Sequence, residues 1–108
     1  MNKLAPTNVT YTILNTSTAG VIPVAPAVAG KRVLIVGLFT DVGAVQEIAV
    51  RDTNAVAIFG TLHTDKHASI VLPPSEIGYA VTLPGAGLEI NLANSALTSG
   101  VILWRYID

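Results

Sequence analysis

The chain has 108 residues, of which 51% are hydrophobic and only 12% charged, with a mean hydropathy of +0.59 and a formal net charge of −1. That length suits one domain, and its core is too small to hold so many apolar side chains, so an apolar surface must remain exposed or be covered by a partner. The six basic residues are scattered, which argues against nucleic acid as a ligand. The longest strongly apolar run, residues 33–39, is far short of a helical membrane span, so no membrane partner is expected. The absence of cysteine excludes disulfide and thiolate chemistry. The first residues, MNKLAPTNVTYT, show no signal-peptide pattern, and synthesis and assembly inside a cell are the expectation.

Strand-like runs of period two, bounded by turn residues, follow one another along the chain. Residues 1–30 read as an extended N-terminal segment that contributes strands or contacts between subunits. Within it, VTYTIL (9–14) sets Val9, Tyr11 and Ile13 against Thr10 and Thr12, and GVIPV (20–24) reads as an edge because of Pro23. Further strands are expected over 31–40, 45–51, 55–60, 68–72, 79–83, 88–93 and 101–107. In VQEIAVR, Ile48 and Val50 oppose Glu47 and Arg51, with Gln46 on the apolar side. In LEINLA, Leu88, Ile90 and Leu92 oppose Glu89 and Asn91. Such strands have one wet face. Pro84 to Gly87 reads as a hairpin turn between the last two of these strands before the C-terminal one. Eight or nine short strands at intervals of about ten residues predict one all-β domain over 1–108, an antiparallel β-sandwich of about eight strands resembling a jelly roll.

Two strands are apolar on both sides. In 33–39, Val33, Ile35 and Phe39 share one face, and Leu34, Val36 and Leu38 the other. In 101–107, Val101, Leu103, Arg105 and Ile107 oppose Ile102, Trp104 and Tyr106. A two-layer sandwich buries one face of each strand. Leu34, Val36, Leu38, Ile102, Trp104 and Tyr106 are therefore expected to form an oligomer interface, with Trp104 and Tyr106 as aromatic anchors. The competing reading is that the N-terminal segment of the same chain covers one of these faces.

Few residues suggest chemistry. His63, Asp65 and His67 in HTDKH could in principle ligate a metal, but on extended chain the two histidines stand about 13 Å apart. No fourth ligand accompanies them, so a solvated loop tip is the expectation. No nucleophile elbow is present. In PGAGLEI, Ile90 stands where a dinucleotide fingerprint needs its third glycine, and a strand follows. No enzyme activity, cofactor or metal is expected.

AVAGKRVLIVGLFT (27–40), IFG (58–60), IVLPPSEIGYAVTLPGAGLEINLANS (70–95) and SGVILWRYID (99–108) together resemble the small β-sandwich virion proteins of tailed phages, in particular head decoration (cement) proteins. Each motif alone is weak, and their order and spacing carry the likeness. The chain departs from the pattern at Tyr79, where the family often has Trp or Phe after the glycine, and at HTDKH. The resemblance implies a tumour-necrosis-factor-like jelly roll, a homotrimer, the major capsid protein as partner and a place on the capsid surface of the virion. It implies no active site. A carbohydrate- or receptor-binding module on a phage tail or fibre is the alternative, since fold alone does not fix function. A small hydrolase has nothing in the sequence to recommend it.

Overall fold

The structure, a computed structural model, describes residues 8–108; the expectations for Met1–Thr7 lie outside the described residues. Nine strands follow in order: β1 (Thr10–Thr16), β2 (Gly20–Ala25), β3 (Arg32–Val42), β4 (Gln46–Asp52), β5 (Leu62–Thr64), β6 (Ser69–Leu72), β7 (Ala80–Val81), β8 (Leu88–Leu92) and β9 (Thr98–Ile107). They form two antiparallel sheets. Sheet A runs β1-β9-β3-β6, with β7 also pairing to β3, and sheet B runs β2-β8-β4-β5.

The pairings β1–β9, β2–β8, β3–β6 and β4–β5 are nested, Thr10 opposite Trp104, Gly20 opposite Leu92, Leu38 opposite Leu72 and Gln46 opposite Thr64. The chain is thus one long hairpin rolled upon itself, the winding of a jelly roll. Its bend lies where a strand over 55–60 is expected from sequence. Only a single bridge, Arg51 to Ala57, is found there. Buried Asp52 explains the turn: its Oδ1 accepts from the amides of Asn54 (2.8 Å) and Val56 (3.0 Å), the local carboxylate–backbone bonding that competes with extended chain.

The core lies between the sheets and contains Leu14, Val33, Ile35, Leu38, Val42, Ile48, Val50, Leu88, Ile90, Leu92, Ile102 and Trp104. The alternations read from β4 and β8 hold: Ile48, Val50, Leu88, Ile90 and Leu92 point inward. Gln46 is also fully buried, and every bond it makes is useful. Its Nε2 donates to Asn94 O (2.7 Å) and Thr98 Oγ1 (3.2 Å), and its Oε1 accepts from the amides of Asn94 and Glu47. It ties the start of β4 to the 93–98 connection.

Sheet A corrects the sequence reading in four places. In β3 the register passes from Ile35–Trp104 to Gly37–Leu103, leaving Val36 as the extra residue of a bulge. Before the bulge the odd positions Val33 and Ile35 face inward; after it the even positions Leu38, Thr40 and Val42 do, and Phe39 turns out to solvent. In β9, Ile102 and Trp104 face the core, leaving Val101, Leu103 and Arg105 outside. In β1 the threonine face is the inner one. Thr12 Oγ1 accepts from Trp104 Nε1 (3.0 Å) and donates to Val24 O (2.9 Å), so Tyr11 and Ile13 are left outside.

The fourth correction concerns residues 79–87. The run 79–83 is reduced to a two-residue strand, because Thr82 Oγ1 takes the amide of Val33 (2.9 Å) and donates to Ala86 O. Pro84–Gly87 is a crossover from sheet A to sheet B and not a hairpin, since β7 pairs with β3 and β8 with β2 and β4. At the other end, β9 begins three residues earlier than the sequence pattern suggests. It crosses β3 closely at Gly100 (φ +145°), where a Cβ would lie 1.9 Å from Phe39 O.

Candidate interaction surface

None of the six residues expected to form an interface from sequence lies on an open apolar face. Ile102 and Leu38 are opposite one another in the core. Trp104 is 6% exposed, stacked edge-on against Tyr106 at 5.1 Å between ring centroids, and Tyr106 Oη donates to Pro26 O (2.7 Å). This aromatic pair seals the end of the sandwich where β2 leaves sheet B. Leu34 and Val36 do face away from the core or into the bulge, and both are buried by their own chain. Among the described residues the cover is the 73–79 loop. Ser75 N donates to Val36 O and Tyr79 N to Ile35 O, both at 2.8 Å. A Cβ on Gly78 (φ +81°) would stand 2.6 Å from Leu34 Cδ1, so only glycine lets the loop lie this close. Arg105, on the outer face of β9, donates to Glu76 O (3.0 Å) and pairs with its carboxylate (3.3 Å), clamping the same loop.

The open surface is the rest of the outer face of sheet A. Register places Ile13 opposite Val101, Val101 opposite Phe39 and Phe39 opposite Val71. Paired residues share a face, so these four make an apolar row across β1, β9, β3 and β6, roughly 14 Å long at the usual strand spacing. Ile13 is 68%, Phe39 44% and Val71 55% exposed. The neighbouring row adds Tyr11 (64% exposed), opposite Leu103. On the far side the row is bounded by polar partners, Asn15, Ser99, Asp41 and Ser69, with Ser69 Oγ donating to Asp41 Oδ1. An apolar centre inside a polar rim is the anatomy of a protein-binding patch. Sequence reasoning missed these residues by assigning Tyr11, Ile13 and Phe39 to the core; the signal was present in the apolar surplus.

The outer face of sheet B is different. Its rows read Val21–Asn91–Ala49 and Pro23–Glu89–Arg51, followed by Glu47–His63. Arg51 Nε donates to Glu89 Oε2 at 2.5 Å, and His63 Nδ1 lies 3.2 Å from Glu47 Oε1. His63 is thus on β5, whereas His67 sits in a positive-φ turn (φ 62°) beyond it. No group of three potential metal ligands is found among the described residues. A cleft of about 250 Å³ at the polar rim is lined by Asp41, Val42, Gly43, His67, Leu97 and Ser99. It unites an acid, a histidine and a serine, but His67 is exposed and no buried polar side chain lines the cleft.

Comparison with family models, curated proteins and solved structures gives no match for this chain. Among the described residues no helix is long and apolar enough to cross a membrane.

Proposed function

We propose that this chain is a structural virion protein, a head decoration (cement) protein that lies on the outer surface of a tailed-phage capsid and stabilises the shell as an oligomer. The observation that supports this most is the row Ile13–Val101–Phe39–Val71, with Tyr11 beside it, which a lone chain leaves in water. Burying apolar surface stabilises by about 25 cal/mol per Å², so covering side chains of this size contributes on the order of several kcal/mol before the entropy cost of association. Contacts of that strength suffice when many copies bind a repeating lattice and each oligomer engages more than one site. The major capsid protein is the partner in this reading. The role needs no catalytic residue, cofactor, metal or nucleic acid.

The test is the copy number in purified particles, by cryo-electron microscopy or quantitative mass spectrometry. Hundreds of copies spread over the shell are expected. A few copies at one vertex or on the tail would overturn the reading and favour the alternative, a carbohydrate- or receptor-binding module. That alternative has one observation of its own, the exposure of Tyr11 and Phe39 on one face, where aromatic rings could stack on sugars.

A further inference from the structure

The four sheet edges are not equally protected. Sheet B ends on β2, which is interrupted by Pro23 and a register shift, and on β5, three residues long. The far edge of sheet A is divided between β6, four residues running into Pro73–Pro74, and β7, two residues. Short strands, prolines and bulges are the devices that stop an edge from recruiting another strand. The remaining edge, β1, has none of them. TYTILNT is seven residues long, regular in register against β9 throughout, and free of proline and charge. Among the described residues no strand pairs with its other side. Half of its backbone amides and carbonyls therefore point away from β9 with no ladder to join.

We infer that β1 pairs antiparallel with β1 of a second copy, joining two A sheets edge to edge into one continuous layer, eight strands across, about a two-fold axis. The occupant follows from the strand itself. An unpaired backbone row is complemented by another extended strand, and the side-chain pattern of β1 is suited to its own reverse. With Thr12 on the axis, the exposed Tyr11 of each copy stands opposite Ile13 of the other on the outer face, an aromatic–β-branched cross-strand pair. The contact is isologous and closes with two copies, whereas the phage resemblance implies three. It also continues the row that ends at Ile13 into Tyr11 and Leu103 of the second copy. The inference stands apart from the virion role, because it is read on the purified chain alone.

The test is the mass of the isolated protein by light scattering or analytical ultracentrifugation, with two variants on the same outer face. The wild type is expected to contain two copies. Ile13→Lys, at the β1 edge, is expected to weaken the dimer by at least about tenfold, since an edge lysine is a natural guard against pairing. Val71→Lys, on β6 at the opposite edge, is expected to leave the dimer intact. Both positions are more than half exposed, so both variants fold, which circular dichroism checks. Hydrogen exchange is expected to show β1 amides protected in the wild type and released in Ile13→Lys. A monomeric or trimeric wild type overturns the inference. So does equal loss of association in both variants, which would mean packing through the sheet face, or in neither.

Discussion

The two outer faces of this sandwich are built on the same winding and present opposite chemistry. Sheet B turns out Asn91, Glu89, Arg51, Glu47 and His63, with Arg51 paired to Glu89 and His63 beside Glu47 across strands. Sheet A turns out Ile13, Val101, Phe39, Val71, Tyr11 and Leu103. Each sheet has one side sealed against the other in the core. The contrast therefore cannot come from the needs of folding, which are met by the inner faces alone. Between Arg105 near one end and Asp41 at the other, the exposed stretch of sheet A carries no charge, the composition that marks contact surfaces.

The assignment of inner and outer faces in sheet A is tested most severely by Trp104→Glu. It places a carboxylate beside Ile35 in the core and removes the indole that bonds Thr12. Loss of a buried Trp alone costs about 3–5 kcal/mol, and an unpaired buried charge adds to it. That approaches the whole stability of a small domain, so the expected outcome is a chain without cooperative thermal unfolding. A folded monomer would mean that the two faces of β9 are exchanged. Gln46→Ala probes the inner face of sheet B. It leaves the amide and carbonyl of Asn94 without their side-chain partner and is expected to cost about 2–3 kcal/mol by urea titration.

The outer faces are compared directly by Phe39→Lys and Glu89→Gln. Phe39→Lys is expected to change stability by no more than about 1 kcal/mol and to lower occupancy on particles by at least about tenfold. Glu89→Gln, which loosens the Arg51 pair, is expected to alter occupancy less than about twofold. The reverse result would place the contact on sheet B. The smallest effect is expected at Asp108, where β9 ends beside Lys31 at the start of β3. The hydrogen bond from Lys31, and then its charge, hold the Asp108 carboxyl below its ordinary value of 3.8. A lowered folded-state pKa contributes stability above that ordinary value and loses it as pH falls through the lowered one. The pair is exposed and worth little. Asp108→Asn is expected to melt within experimental scatter of the wild type at neutral pH, and identically to it once the carboxyl is protonated.

How much of this was legible beforehand depended on the sheet. In β4 and β8, alternating apolar and charged residues leave only one way to face the core, and Ile48, Val50, Leu88, Ile90 and Leu92 all follow it. In sheet A both faces are apolar, and alternation then says which residues lie together but not which set is inside. A bulge at Val36 changes the parity midway through β3, and no local residue announces it. In β1 the polar face went inward, because Thr12 is the hydrogen-bonding bridge that Trp104 and Val24 need. The apolar excess of the composition correctly required an exposed patch, and its location followed only from cross-strand register. The 73–79 loop hid two of the expected interface residues by a close approach that depends on Gly78.

The nested order of the strand pairs has a bearing on how this chain is made. The bend around 54–57 brings β4 and β5 together after half of the sequence has been synthesised, and β3 and β6 follow. The centre of sheet A is filled by β9, which is the last of the nine described strands to be translated and which pairs with both β1 and β3. Until it arrives, β3 has only short neighbours and the future apolar row is split in two. Closure of the largest loop comes last, as is slow in β-rich topologies. The apolar row and the completed fold therefore come into being in the same late step, so an unfinished chain carries only separate halves of that row.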